Sequence, residues 1–199
     1  MERRGWAESP EERERIDASL RGLTGTTLAG VRYLEMPYDG TPQWDCGTFH
    51  SLDFGLEIDL GDGTTWSVTW DQAGHNEGLL VDAKPLEFRP DADIATWDVT
   101  EMWRRRFPGG FTDIGAAWTR HAYGPAYTGV RWEIKVDDGG ESDLCLFTLV
   151  LAGAGDERAV VTFGGKGYDE PPRYMPFSHD VSVFFSTADA EAAGVILPA

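Results

Sequence analysis

Residues 71–78 of this chain set two carboxylates and an imidazole within one short stretch. Asp71, His75 and Glu77 are side chains that can move protons, and histidine does so near neutral pH. A loop leaving a strand end at Trp70 would hold such a set beside a rigid sheet. Gly74, Asn76 and Gly78 in the same stretch are ordinary turn formers, so a plain turn is the competing reading. Other chemistry is weakly signalled. His50, His75, His121 and His179, with Asp45 and Asp180 nearby in sequence, lack the tight spacing of a metal cage, and no metal is expected. Cys145 falls in the most apolar strand and reads as core. Cys46 lies four residues before His50, a spacing that permits a thiolate pair but defines no motif. In Gly164-Gly165-Lys166-Gly167 no Ser or Thr follows the lysine, so the segment reads as a flexible turn, and no cofactor is expected.

Charge and aromatic residues suggest recognition. The 34 acids against 17 bases give a net charge of −17 over 199 residues. That balance argues against direct binding of nucleic acid and against an anionic membrane surface. It favours a basic protein or a cationic small molecule, which the field would steer inward. Residues 51–100 hold eleven acids and two bases, so about half the excess sits in a quarter of the chain. Asp53, Glu57 and Asp59 are the carboxylates expected on an open strand face there. Of eight tryptophans, Trp66, Trp70, Trp118 and Trp132 fall on expected strands, whereas Trp44, Trp97 and Trp103 fall in or beside loops. These last three would form an aromatic patch for a partner or the wall of a ligand cavity. The basic cluster Arg104-Arg105-Arg106 suits the C-terminal end of a helix or an acidic neighbour.

The positioning elements follow from periodicity. Ser9-Pro10-Glu11-Glu12 is a capping box with proline at N1, which predicts a helix over 10–21 docked through Ile16 and Leu20. From residue 27 the period becomes two. Phe54, Leu56, Ile58 and Leu60 alternate with polar residues, as do Trp66, Val68 and Trp70. A two-residue turn would oppose every apolar side chain to a polar one. A three-residue loop, Gly61-Asp62-Gly63, pairs Leu60 with Thr64, Ile58 with Trp66 and Leu56 with Val68, giving one continuous apolar face. A strand at 79–81 is expected after a loop at 71–78. A second capping box opens a helix near Asp98. Strands are expected at 114–123, 130–136, 143–151, 159–163 and 181–185, with a long loop at 165–180. A last helix is expected with Ser186 as its cap and Gly194 as its stop.

These elements predict an α+β, mainly antiparallel β protein: a sandwich or strongly curved sheet of 8–9 strands with three short peripheral helices. One domain is expected over 1–199, the helix 10–21 docking on a β-rich body 27–199. The N-terminus lacks the apolar run of a secretory signal, no stretch is long enough to span a membrane as a helix, and the two cysteines form no framework. A cytoplasmic setting is therefore expected, and the 14 arginines against three lysines suggest a GC-rich bacterial genome. The leading functional expectation is a non-enzymatic acidic protein that recognises a basic protein partner, in the manner of an immunity protein or antitoxin. The rival is a small-molecule enzyme or carrier with Asp71, His75 and Glu77 at the mouth of a cavity. A concave pocket above about 300 Å3 lined by Trp and holding a His would favour the rival; a shallow acidic surface with exposed aromatics would favour the first.

Overall fold

A computed structural model describes residues 5–7, 9–73, 76–89, 92–120, 126–127, 132–133 and 144–198. Its N-terminal half runs β1 (Trp6–Ala7), α1 (Pro10–Leu20), β2 (Leu28–Glu35), β3 (His50–Leu52), β4 (Gly55–Leu60), β5 (Thr65–Ala73), β6 (Asn76–Asp82) and β7 (Ala95–Asp98). The second half runs α2 (Thr100–Arg106), β8 (Asp113–Arg120), β9 (Ala126–Tyr127), β10 (Trp132–Glu133), β11 (Leu144–Ala152), β12 (Arg158–Lys166), β13 (Tyr174–Phe184) and α3 (Thr187–Ala192). Eight of these strands have six residues or more. The others are two- to four-residue pieces that periodicity cannot register.

The strands form two main antiparallel sheets. One has the order β1-β11-β12-β13-β3 with β8 also on β11; the other has the order β6-β5-β4-β2-β7. The sandwich expected from sequence is what the chain adopts. Its core joins Val31, Tyr33, Leu56, Ile58 and Val68 of one sheet to Leu149, Leu151, Val161, Phe163 and Val181 of the other. Strand β11, apolar on both faces, is central as expected, with β12 on one side and β8 on the other.

The hairpin parity holds. Ile58 pairs with Trp66 and Leu56 with Val68. Leu60 N–H donates to Thr64 O at 2.9 Å across the three-residue loop, where Gly63 takes φ 88°. A side chain there would be strained, so glycine closes the turn. Helix α1 begins as its sequence requires, the Ser9 hydroxyl accepting from Glu12 N–H at 3.2 Å. It gives way at Arg21 to a single 3-10 turn. A Cβ on Gly22 would come within 2.7 Å of the Trp66 ring, so this turn lies directly on the hairpin.

Three expectations are corrected. The turn-like segment 71–78 is mostly ladder: Asp71 pairs with Gly78 and Gln72 with Glu77, because backbone pairing continues whatever the side chains prefer. Residues 164–166 are strand, not flexible turn, and β13 starts at Tyr174, so the long loop shrinks to 167–173. Helix α2 starts without the expected capping box at Asp98: Val99 occupies the cap position, and Asp98 Oδ1 accepts from Thr100 N–H at 2.9 Å. The C-terminal helix is as expected, with the Ser186 hydroxyl accepting from Asp189 N–H at 3.2 Å and Gly194 at φ 83°. The expected strand at 130–136 lies outside the described residues, apart from Trp132–Glu133.

Two mutations check this fold. Trp66→Ala should cost about 3–5 kcal/mol in denaturant unfolding, as large core truncations do; a cost below about 1 kcal/mol would show that the ring is not core. Ser9→Ala should cost about 1 kcal/mol and Ser9→Asp almost nothing, because both Ser and Asp can accept from the first-turn amides.

Candidate functional site

Between Phe163 and Gly164 the β12–β13 ladder skips. Phe163 pairs with Val181, but Gly164 pairs with Pro176, so residues 177–180 bulge from the sheet. Bulges re-aim side chains, and this one carries Ser178, His179 and Asp180. Gly164 and Gly165 make the room. A Cβ at Gly165 would lie 2.0 Å from Asp180 Oδ2, and one at Gly164 would lie 2.7 Å from the Tyr174 hydroxyl. Ser51, buried in β3, ties the parts together: its hydroxyl donates to Asp180 Oδ2 at 3.1 Å and accepts from Lys166 N–H at 2.9 Å.

The bulge forms one wall of a cleft of about 710 Å3. Tyr38, Gln43 and Cys46 from the 36–46 loop face it, as do Asp53 at the β3–β4 corner and Tyr168 on the 167–173 loop. Five carboxylates line it, namely Asp45, Asp53, Asp169, Glu170 and Asp180, with Lys166 and His179 as the basic side chains. Asp53 anchors the near wall, accepting from Met36 N–H at 2.8 Å and from the Tyr38 hydroxyl at 2.7 Å. Tyr38 sits at φ 23°, an unusual backbone conformation that these bonds hold in place. Lys166 Nζ donates to Gln43 O at 3.1 Å and lies 5.5 Å from the Tyr38 ring centroid. A ring of this cleft therefore already faces a cation.

The electrostatics suit positive charge. Burial raises the Asp180 carboxyl above its ordinary range, and Asp53 pushes the same way. The Tyr38 hydroxyl is raised by burial and then by its bond to Asp53. Burial also raises Cys46, which leaves it a thiol rather than a nucleophile at neutral pH. His179 Nε2 meets Glu77 Oε1 at 3.2 Å, and its ring stacks on Trp70 at 4.7 Å. Trp70 Nε1 in turn donates to Asp53 O at 3.0 Å. Ser178 Oγ donates to Met175 O, a backbone partner that makes no nucleophile of it. Among the described residues no group of three His, Cys, Asp or Glu side chains could hold a metal ion.

The sequence-derived candidates are placed as follows. Asp71 and Glu77 sit at alternate register positions of β5 and β6, so the pleat points them to opposite sides of the sheet. His75 lies outside the described residues. The chain thus pairs Glu77 with His179, a hundred residues away, rather than with Asp71. The expectation of an open carboxylate face on the hairpin is corrected. Arg32 bonds Glu57 through Nε at 3.0 Å and Nη2 at 2.8 Å, and it bonds Asp59 through Nη1 and Nη2. Glu57 is only 7% exposed and also accepts from Leu86 N–H. These bonds to Arg32 raise the guanidinium's pKa further and lower the Asp59 carboxyl. Asp53 alone of the three reaches the cleft.

The loop tryptophans do not form a surface patch. Trp103 is fully buried on α2 and donates to the Tyr33 hydroxyl at 3.0 Å. Tyr33 meets His50 Nδ1 at 2.9 Å, and burial lowers His50 to about 4. Trp44 packs edge-on to Tyr33 and His50, and Trp97 is half-buried against the same core. The exposed aromatics at the cleft are Tyr38 and Tyr168, 52% and 101% exposed. Their sequence signal is an aromatic set among turn formers, in Pro37-Tyr38-Asp39-Gly40 and Gly167-Tyr168-Asp169.

Gly165→Ala should destabilise the protein by about 1–3 kcal/mol, because the new methyl displaces Asp180. Asp180→Gly should be disproportionately mild in that background, and thermal unfolding of the four variants measures the coupling. Additive effects would show that Gly165 and Asp180 do not touch. No protein-family model, curated protein or solved structure matches this chain, so the chemistry of the cleft rests on its own residues.

Proposed function

We propose that this is a non-enzymatic acidic binding protein that recognises a basic protein partner, in the manner of an immunity protein or antitoxin acting in the cytoplasm. The observation that carries the reading is the cleft itself, five carboxylates and two exposed tyrosines around one lysine. Carboxylates steer and hold Lys or Arg side chains, and tyrosine faces stack on guanidinium. Arginine and tyrosine are also the residue types that carry most binding energy in protein interfaces. No helix among the described residues is long and apolar enough to cross a membrane.

A second reading has its own support. The cleft exceeds the roughly 300 Å3 expected of small-molecule pockets, and it holds His179 beside Glu77. That combination favours a carrier or enzyme acting on a small cation. Free arginine amide separates the two: a carrier binds it about as tightly as an arginine-rich peptide, whereas a protein-binding surface gains affinity from each further contact.

The test is titration of hexa-arginine amide by calorimetry. Binding should be one-to-one and should weaken by at least about ten-fold between roughly 0.05 and 0.5 M salt, as screening of exposed charges requires. Asp169→Lys with Glu170→Lys, both exposed at the rim, should abolish it without changing the melting temperature. Glu14→Lys with Asp93→Lys, exposed acids away from the cleft, should weaken it far less. Equal losses from the two pairs would reduce the effect to net charge and sink the site.

A further inference from the structure

Glu35 ends β2 and is 1% exposed, with its carboxyl group behind the loop that walls the cleft. Oε2 accepts from Gln43 N–H at 3.4 Å. Oε1 and Trp97 Nε1 each lack a partner at full hydrogen-bond distance, but the indole lies close enough to this carboxyl group to favour its ionised form weakly. Gln43 connects this buried acid to the site, because its carbonyl accepts from Lys166 Nζ at 3.1 Å. Lys166 in turn lies 5.5 Å from the Tyr38 ring centroid, and the Tyr38 hydroxyl donates to Asp53 at 2.7 Å. A chain of polar contacts thus runs from a buried carboxyl group, through one loop residue, to the lysine, tyrosine and aspartate of the cleft.

We infer that the protonation state of Glu35 sets how tightly the cleft holds a cationic partner. This rests on the reading of the cleft as a cation-binding surface. A protonated Glu35 leaves the five lining carboxylates to act alone. An ionised one adds a negative charge directly behind Gln43, in an interior where charge is poorly screened, and draws Lys166 towards the loop and away from an incoming cation. Affinity therefore rises with pH as Glu35 ionises. By linkage a bound cation must expel the Glu35 proton.

Burial pushes the Glu35 carboxyl up to about 7; the Gln43 amide, Lys166 and Trp97 pull it down, while Asp53 pushes it further up. This is where a switch near neutral pH must titrate. The charged and titratable groups that face it are Asp53 from the β3–β4 corner and Lys166 from β12, with Tyr38 and Cys46 from the loop. Tyr38 and Cys46 are both raised and stay neutral. His179 faces the cleft from the bulge, and Asp180 is raised by burial.

Hexa-arginine amide is the probe, titrated against the wild type, Glu35→Gln and His179→Gln. Between about pH 6 and about pH 8 the wild type and His179→Gln should gain roughly five-fold in affinity, while Glu35→Gln should stay nearly flat. Calorimetry in two buffers of different ionisation enthalpy should show proton release on binding that Glu35→Gln removes. Carbon-13 titration of the Glu35 carboxyl group in the free protein reads the switch without any ligand and should place its midpoint near neutrality. A Glu35 midpoint in the ordinary carboxylate range overturns the inference, as does a Glu35→Gln profile identical to wild type. If hexa-arginine binds at no pH, the cleft reading fails and takes this inference with it. If it binds with the same pH profile in wild type and Glu35→Gln, the inference fails and the cleft reading stands.

Discussion

Where β13 leaves its ladder, the four residues 177–180 have no β12 partner, and Asp180 is brought against Gly165 with Ser51 as its hydrogen-bond donor. Moving a carboxylate out of water is costly unless something bonds it. Here the bond comes from a hydroxyl that simultaneously accepts from Lys166 N–H. One buried serine therefore fixes both the acid of the bulge and the start of the strand end that carries the cleft's lysine. Without the bulge, His179 could not stack on Trp70 and meet Glu77, and the cleft would lose one of its walls.

The net charge of −17 is a poor guide to how much negative charge is free to act. Arg32 takes up Glu57 and Asp59 on the hairpin. Arg106 lies 3.9 Å from Glu157, and Arg104 is turned to the Leu28 and Ala29 carbonyls. A half-exposed pair such as Arg106–Glu157 contributes little to stability. The Arg32 group is better placed, with multiple bonds and a nearly buried partner in Glu57. The cleft gathers five further carboxylates around Lys166. Buried Glu35 and His50 then tilt stability in opposite directions with pH. Glu35 has a raised folded pKa, so stability falls as pH climbs from its unfolded value to about 7. His50 has a lowered one, so stability falls as pH drops from about 6.5 to about 4.

Local rules were legible where neighbours in sequence are neighbours in space. The caps at Ser9 and Ser186 and the parity of the β4–β5 hairpin needed only short-range arguments. The site is of the other kind. Glu77 and His179 are 102 residues apart, and Ser51 and Asp180 are 129 apart; no spacing rule links such positions. Asp71 and Glu77 misled for a physical reason, since turn-forming side chains do not stop a ladder that its flanking apolar pairs have already registered. The loop expected at 165–180 gives way to strand at Tyr174–Phe184, because the Pro176 in it is tolerated beside a bulge. Parity put Glu57 on the face away from the core, but the sequence of that strand could not show Arg32 lying across it from β2.

Amide hydrogen exchange with and without hexa-arginine amide tests the cleft most directly, because it locates the contact rather than inferring it from affinity. Protection on binding should be concentrated in residues 36–46 and 166–180, the two segments that wall the cleft. Protection confined to other parts of the chain, such as 95–107 or helix α1, or spread evenly over the acidic surface, would contradict the assignment of the cleft as the recognition site.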